Sequence, residues 1–103
     1  MTDTPVHVVA NLVIEDGDRY RDYEKGFFPI LKKHGGELIT FDDAPTTFEG
    51  DNPVQGRMIL ARFPSAAAAD AWYNDTEYQE LSEHRRAGTK LKFLTMLHSM
   101  AGR

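Results

Sequence analysis

An antiparallel sheet with helices on one face, an α+β fold, is what this sequence predicts, and three observations carry the prediction. Val6 to Ile14 and Lys92 to Met100 alternate, yet place apolar side chains on both sets of positions, as strands covered on two sides do. Tyr20, Tyr23, Phe27, Ile30, Leu31 and His34 recur at three- and four-residue steps, the spacing of an amphipathic helix. Between Phe63 and Gln79 a proline, a serine and an aspartate punctuate the passage from strand to helix and then to a second helix.

In the first strand the even positions Val6, Val8, Ala10, Leu12 and Ile14 are all apolar, while the odd ones carry His7, Val9, Asn11 and Val13. Only the odd face therefore offers side chains able to meet a ligand. Asp16-Gly17-Asp18 is a turn, and Asp18 can cap the helix that follows. Pro29 removes one bond inside that helix and crowds the carbonyl of Lys25, which predicts a kink or a broken turn near Gly26. Lys32 and Lys33 complement the negative helix end, and His34-Gly35-Gly36 supplies a left-handed stop.

Glu37 to Phe41 reads as a short strand, Asp42-Asp43-Ala44-Pro45 as a turn, and Thr46 to Glu49 as a brief extra strand. A loop through Pro53 leads to Arg57 to Phe63, an alternating central strand. Pro64 stops it because proline lacks a backbone donor, and Ser65 caps a helix starting at Ala66. The alanine run lets this helix lie close to the sheet, with Trp72 as its one large anchor. Asp75 caps a last helix with Tyr78, Leu81 and Arg85 on one stripe, ending near Gly88, and the Lys92 to Met100 strand follows with frayed final residues. This order is a split βαβ arrangement of the ferredoxin-like type. Right-handed crossovers put the helices on one side, and Val9, Val13, Met58 and Leu60 are too apolar to leave the other side wet. A second copy of the chain is the simplest cover, so a homodimer is expected.

With 103 residues the chain suits one domain spanning 1–103, with a core that buries roughly two-thirds of the unfolded surface. A net charge of −4 and the lack of a basic stripe speak against nucleic acid and anionic membrane as partners. The absence of cysteine excludes disulfides, thiolate metal sites and a cysteine nucleophile. Val6 to Ile14 is too short and too polar for a signal peptide or a membrane span, which makes a cytoplasmic protein the default expectation.

His34-Gly35-Gly36, Glu49-Gly50-Asp51, Phe63-Pro64-Ser65, Ala71-Trp72-Tyr73-Asn74, Glu77-Tyr78-Gln79 and Arg85-Arg86, in that order, resemble the domain of unknown function 1330 family. The resemblance spans most of the chain, and it implies a dimeric α/β-barrel in which two ferredoxin-like sheets face each other across a shared interior. It implies no particular activity. Related members of that superfamily include cofactor-independent monooxygenases of aromatic polyketides, haem-binding enzymes and small isomerases. Where relatives tend to carry an aromatic residue and then Arg-Gly-Gly after the second strand, this chain reads Glu37-Leu38-Ile39-Thr40-Phe41-Asp42-Asp43-Ala44.

The residues themselves offer two sets of candidates. His7, Asn11 and Arg62 share the mixed sheet face, where an imidazole can move a proton, an amide can orient a carbonyl and a guanidinium can hold an enolate. As catalytic groups they suit proton abstraction from, or oxygenation of, a small aromatic or carbonyl substrate. The plainer reading makes His7 a strand start, Asn11 a backbone clamp and Arg62 half of an ion pair. Tyr73, Tyr78 and Arg85 are the ligand-binding candidates, set against core or interface roles for the tyrosines and a solvated helix end for Arg85 and Arg86. Trp72 reads as core.

His7, His34, His84 and His98 form no metal-ligand spacing, and Asp42-Asp43 is no calcium loop, so no metal is expected. No phosphate loop, dinucleotide fingerprint or nucleophile elbow occurs either, and the expected cofactor is none, with a haem ligand from His7 or His98 the one such role left open. Two function classes follow. One is a cofactor-free oxygenase- or isomerase-like protein that binds a small aromatic or carbonyl molecule in the barrel interior, where His7, Asn11 and Arg62 would point, and the other is a noncatalytic homodimeric module with a filled interior.

Overall fold

The computed structural model of the protein describes residues 4–100. The elements run β1 (Val6–Ile14), α1 (Gly17–Lys33), β2 (Glu37–Asp42), β3 (Arg57–Phe63), α2 (Ala66–Asn74), α3 (Thr76–Gly88) and β4 (Thr89–His98). The four strands form one antiparallel sheet in the order β2-β3-β1-β4. All three helices lie on one side, as the ferredoxin-like reading requires, because the buried positions of β1 are the even ones: Val6, Val8, Ala10 and Leu12. Among the described residues no helix is long and apolar enough to cross a membrane.

Each boundary has a local cause. The carboxylate of Asp16, two residues before the expected Asp18, caps α1 by accepting from the N–H groups of Asp18 and Arg19 at 3.1 and 3.2 Å. The helix ends where Gly35 takes a φ of 75° and the N–H of Gly36 returns to the carbonyl of Leu31 at 2.9 Å, a left-handed stop that only glycine adopts freely. Ser65 and Asp75 cap α2 and α3 as expected, accepting from the N–H groups of Ala68 and Glu77.

Several expectations need correction. α1 continues unbroken through Pro29, so the broken turn near Gly26 does not occur. Gly26 instead makes room for α3: a Cβ there would meet the Leu81 side chain at 2.8 Å. Thr46 to Glu49 is not a strand, because the Thr47 hydroxyl accepts from the N–H of Val54 and folds the segment into a loop. β4 begins at Thr89, three residues early, since an irregularity at Lys92 hides the alternation: Phe93 faces Asn11, but Leu91 faces Leu12. The fraying expected at the carboxyl end concerns residues 101–103 in part, and these lie outside the described residues.

The core sits between the sheet and the helices. Phe63 and Trp72 lock α2 onto the sheet with ring centroids 5.1 Å apart, and Trp72 reaches Tyr78 of α3 at 4.3 Å. Trp72 is 4% exposed, as its core reading required. On the other side of the sheet Val9, Leu60 and Thr95 stand in register, flanked by Leu97, which is 53% exposed, and Phe93. This is the apolar open face foreseen from the alternation.

Candidate functional site

Helices α1 and α3 pack firmly on each other but leave the β4 side of the sheet partly uncovered, so Leu91 stays 41% exposed although it points toward the helices. Beneath this thin roof lies a cavity of about 110 Å³. Its floor includes Ala10 and Ala61, the small residues among the buried sheet positions, and larger side chains there would fill the space. Tyr20, Tyr23 and Phe27 of α1 line one wall, and Trp72, Tyr78 and Arg85 line the other.

Two tyrosines supply the first polar group. The hydroxyl oxygens of Tyr23 and Tyr78 lie 2.7 Å apart in buried surroundings, so one donates to the other and a single phenolic proton is left to offer. Burial pushes the Tyr23 hydroxyl well above the usual phenol range, and Tyr78 reinforces the shift. Tyr20 is also raised, by burial, with Arg57 opposing. Tyr20 and Tyr23 are therefore neutral hydrogen-bond donors near pH 7, unsuited to serve as nucleophiles or bases.

Arg57 stands at the cavity edge with its charge already engaged. It donates through Nε and Nη2 to both carboxylate oxygens of Asp43, at 2.6 and 3.1 Å, and lies over the ring of Phe41 at 4.5 Å. The hydrogen bond with Arg57 holds the Asp43 carboxyl below its usual range and holds the guanidinium above its own.

Arg85 is different. It is 4% exposed, and neither its Nε nor its Nη1 has a hydrogen-bond partner among the described residues. Its guanidinium carbon lies 5.8 Å from the centre of the Tyr23 ring, and the buried Nε1 of Trp72 is likewise unpartnered. A second space of about 480 Å³, more open to solvent, adjoins the first. Trp72, Arg85, Leu91 and Leu94 line both, so the arginine stands at their junction, while Tyr73, Arg86 and Thr89 belong to the outer one.

The candidate residues separate into two places. His7 and Arg62 face each other directly across β1 and β3 on the open side of the sheet, and neither lines either space. Arg62 pairs with Glu37 at 3.4 Å. Asn11 is buried, and its Nδ2 donates to the carbonyls of Gln55 and Arg57 at 2.8 and 3.1 Å, clamping the entry of β3 to β1. Tyr78 and Arg85, by contrast, meet in the inner cavity, and Tyr73 is at the outer one. The solvated-end reading holds for Arg86, which is exposed and donates to the side chain of Gln79 at 2.7 Å, but burial overturns it for Arg85. Tyr23 and Arg57 were not among the candidates. Tyr23 had one available signal, a phenol in the apolar stripe of α1, whose hydroxyl needs a buried partner.

The sheet order and the one-sided helices define a ferredoxin-like fold. The chain belongs to the family described as Domain of unknown function (DUF1330), whose model matches residues 5–97. No curated protein matches it in sequence. Among solved structures it is similar to RPA0582 of Rhodopseudomonas palustris, a protein of unknown function, with a TM-score of 0.78 and 20% identity over 95% of this chain and 84% of that one. It is also similar to SnoaB, a cofactor-independent oxygenase from Streptomyces nogalater, with a TM-score of 0.65 and 9% identity over 93% of each chain. A dimeric ferredoxin-like protein of unknown function from Jannaschia sp. CCS1 gives a TM-score of 0.60 and 18% identity over 92% of this chain and 99% of that one. At such identities the likeness is one of fold.

Proposed function

We propose that the protein binds a small organic molecule, aromatic or carbonyl-bearing, in the cavity between sheet and helices, and that it acts on this molecule without a cofactor in the manner of an oxygenase or isomerase. The observation that carries the reading is the cavity itself: aromatic walls, a floor kept open by Ala10 and Ala61, and the hydrogen-bonded Tyr23–Tyr78 pair. An apolar pocket with few, fixed polar groups orients a ring by its faces and a carbonyl by one hydrogen bond. The spare phenolic proton then hydrogen-bonds that oxygen and stabilises the enol form of the bound molecule, the form that enolisation and oxygenation of an enol share. SnoaB, a cofactor-independent oxygenase, lends the same scaffold as an analogy.

The working unit in this proposal is a homodimer. Val9, Leu60, Phe93 and Leu97 would stand in water on the open face of a lone protomer, at about 25 cal/mol for each Å² of apolar surface. The dimeric Jannaschia protein of like fold favours the same assembly. His7 and Arg62, on this face, then lie in the contact between subunits. The alternative reading, a noncatalytic homodimeric module with a filled interior, concerns the space between two facing sheets, whereas the cavity that supports a ligand lies on the helix side of the sheet and holds none of His7, Asn11 and Arg62.

Trp72 is the chain's single tryptophan and lines both spaces, so its fluorescence is a direct probe. Titration with hydroxylated aromatic aldehydes and ketones should give a saturable change in emission. No response to any of them at millimolar concentration would count against the reading.

A further inference from the structure

A buried arginine without a carboxylate is an unusual object. Arginine keeps its proton under any physiological condition, so it cannot relieve burial by becoming neutral as a lysine can. Buried charges are accordingly paired. Arg57, the other arginine of the inner cavity, follows the rule with Asp43 and Glu24. Arg85, at 4% exposure, forms no ion pair among the described residues. The ring of Tyr23 lies 5.8 Å from its guanidinium carbon, and the Thr89 hydroxyl bonds the Arg85 backbone carbonyl rather than its side chain, leaving Nε and Nη1 without a partner among the described residues. The acidic residues lining these spaces do not fill the gap, since Glu24 is turned to Arg57 and Asp70 is exposed.

We propose that Arg85, together with Nε1 of Trp72, is the binding site for the carboxylate of a small aromatic acid, whose ring lies in the inner cavity against Trp72, Tyr23 and Tyr78. This deepens, and rests on, the small-molecule reading given above. Trp72 and Arg85, each more than nine-tenths buried and each carrying an unpartnered donor, line the same junction. One cation and one neutral N–H suit a monoanion, and a phosphate dianion would ask for more donors than are placed here. The size agrees, because an apolar cavity of about 150 Å³ takes a benzene ring and the inner space of about 110 Å³ opens into the outer one. Substituents on the acid would extend past Thr89 and Tyr73.

Benzoate and its neutral near-isostere benzamide test this by calorimetric titration of the full chain, with cinnamate and cinnamamide as the longer pair. Each acid should bind about tenfold or more tightly than its amide, the scale of one charge-assisted contact. Arg85→Met should abolish that preference and, by removing an unpaired buried charge, should raise the urea midpoint in the absence of acid. An arginine with a purely structural role would instead lower it. Should the methionine variant fail to fold, Arg85→Lys, which keeps the charge, supplies the second comparison: the acid should still be preferred, more weakly. Equal binding of acid and amide would overturn the inference while leaving the cavity reading intact. Binding of neither would remove both.

Discussion

The hydroxyl oxygens of Tyr23 and Tyr78 meet at 2.7 Å across the seam between α1 and α3, linking residues 55 positions apart at the wall of the cavity. Among the described residues each hydroxyl bonds the other, so deleting one strands its mate in apolar surroundings. Tyr23→Phe should therefore cost about 1–3 kcal/mol, whereas adding Tyr78→Phe should cost little more, because no orphan remains. Urea unfolding of the four proteins in the cycle measures this, and strictly additive losses would contradict it.

Trp72 combines roles that the sequence set against each other, since it is both the anchor of α2 and a wall of the cavity. Burial between Phe63 and Tyr78 decides the energetic question. Trp72→Ala should cost roughly 3–5 kcal/mol, the range for truncating a buried large aromatic residue, and leave the protein partly unfolded or prone to aggregate. A urea midpoint equal to that of the parent, with dimer mass unchanged, would show that Trp72 serves the ligand alone.

Charging the open face tests the assembly. Val9→Asp places a carboxylate opposite Leu60 and Thr95 on that face and should shift a micromolar sample from dimer toward monomer in sedimentation velocity. A parent protein that sediments as a stable monomer at that concentration would refute the proposed dimer.

Asp75 joins the end of α1 to the start of α3, accepting from Nε2 of His34 at 2.7 Å and pairing with Lys33 at 3.0 Å while it caps α3. The bond from His34, then that from Lys33, holds its carboxyl well below the usual range. A carboxyl depressed in the folded state adds stability above the unfolded pKa, about 3.9, and loses it as pH falls toward the folded value. Asp75→Asn should thus be less stable than the parent at pH 5, and the margin should close below about pH 4. A margin that stays constant into strong acid would contradict the assignment.

Most of the scaffold was legible because its signals are local. Pro64-Ser65 and Asp75 mark their helix starts through atoms one to three residues away, and the even positions of β1 name the buried face without reference to any other strand. The cavity was not legible, because it depends on what stands opposite what. Val8 meets Ala61 across the β1–β3 register, and the space above them is walled by Tyr20, Tyr23 and Phe27 of α1 and by Trp72, Tyr78 and Arg85 from the other helices. The alternation that pointed to His7, Asn11 and Arg62 located a sheet face correctly but carried no sign of where space remains. Arg85 lay on the stripe with Tyr78, yet basic residues at a helix end are ordinarily solvated, and only the chain's immediate return at Thr89 buries this one.

Native mass spectrometry of the protein enriched from its own cell extract is the most direct test of a ligand-holding cavity. The account predicts a dimer carrying a small-molecule mass, released on denaturation and retained less by Arg85→Met than by the parent. A dimer of bare polypeptide mass, combined with no fluorescence response of Trp72 to small aromatic acids, aldehydes or ketones, would contradict it.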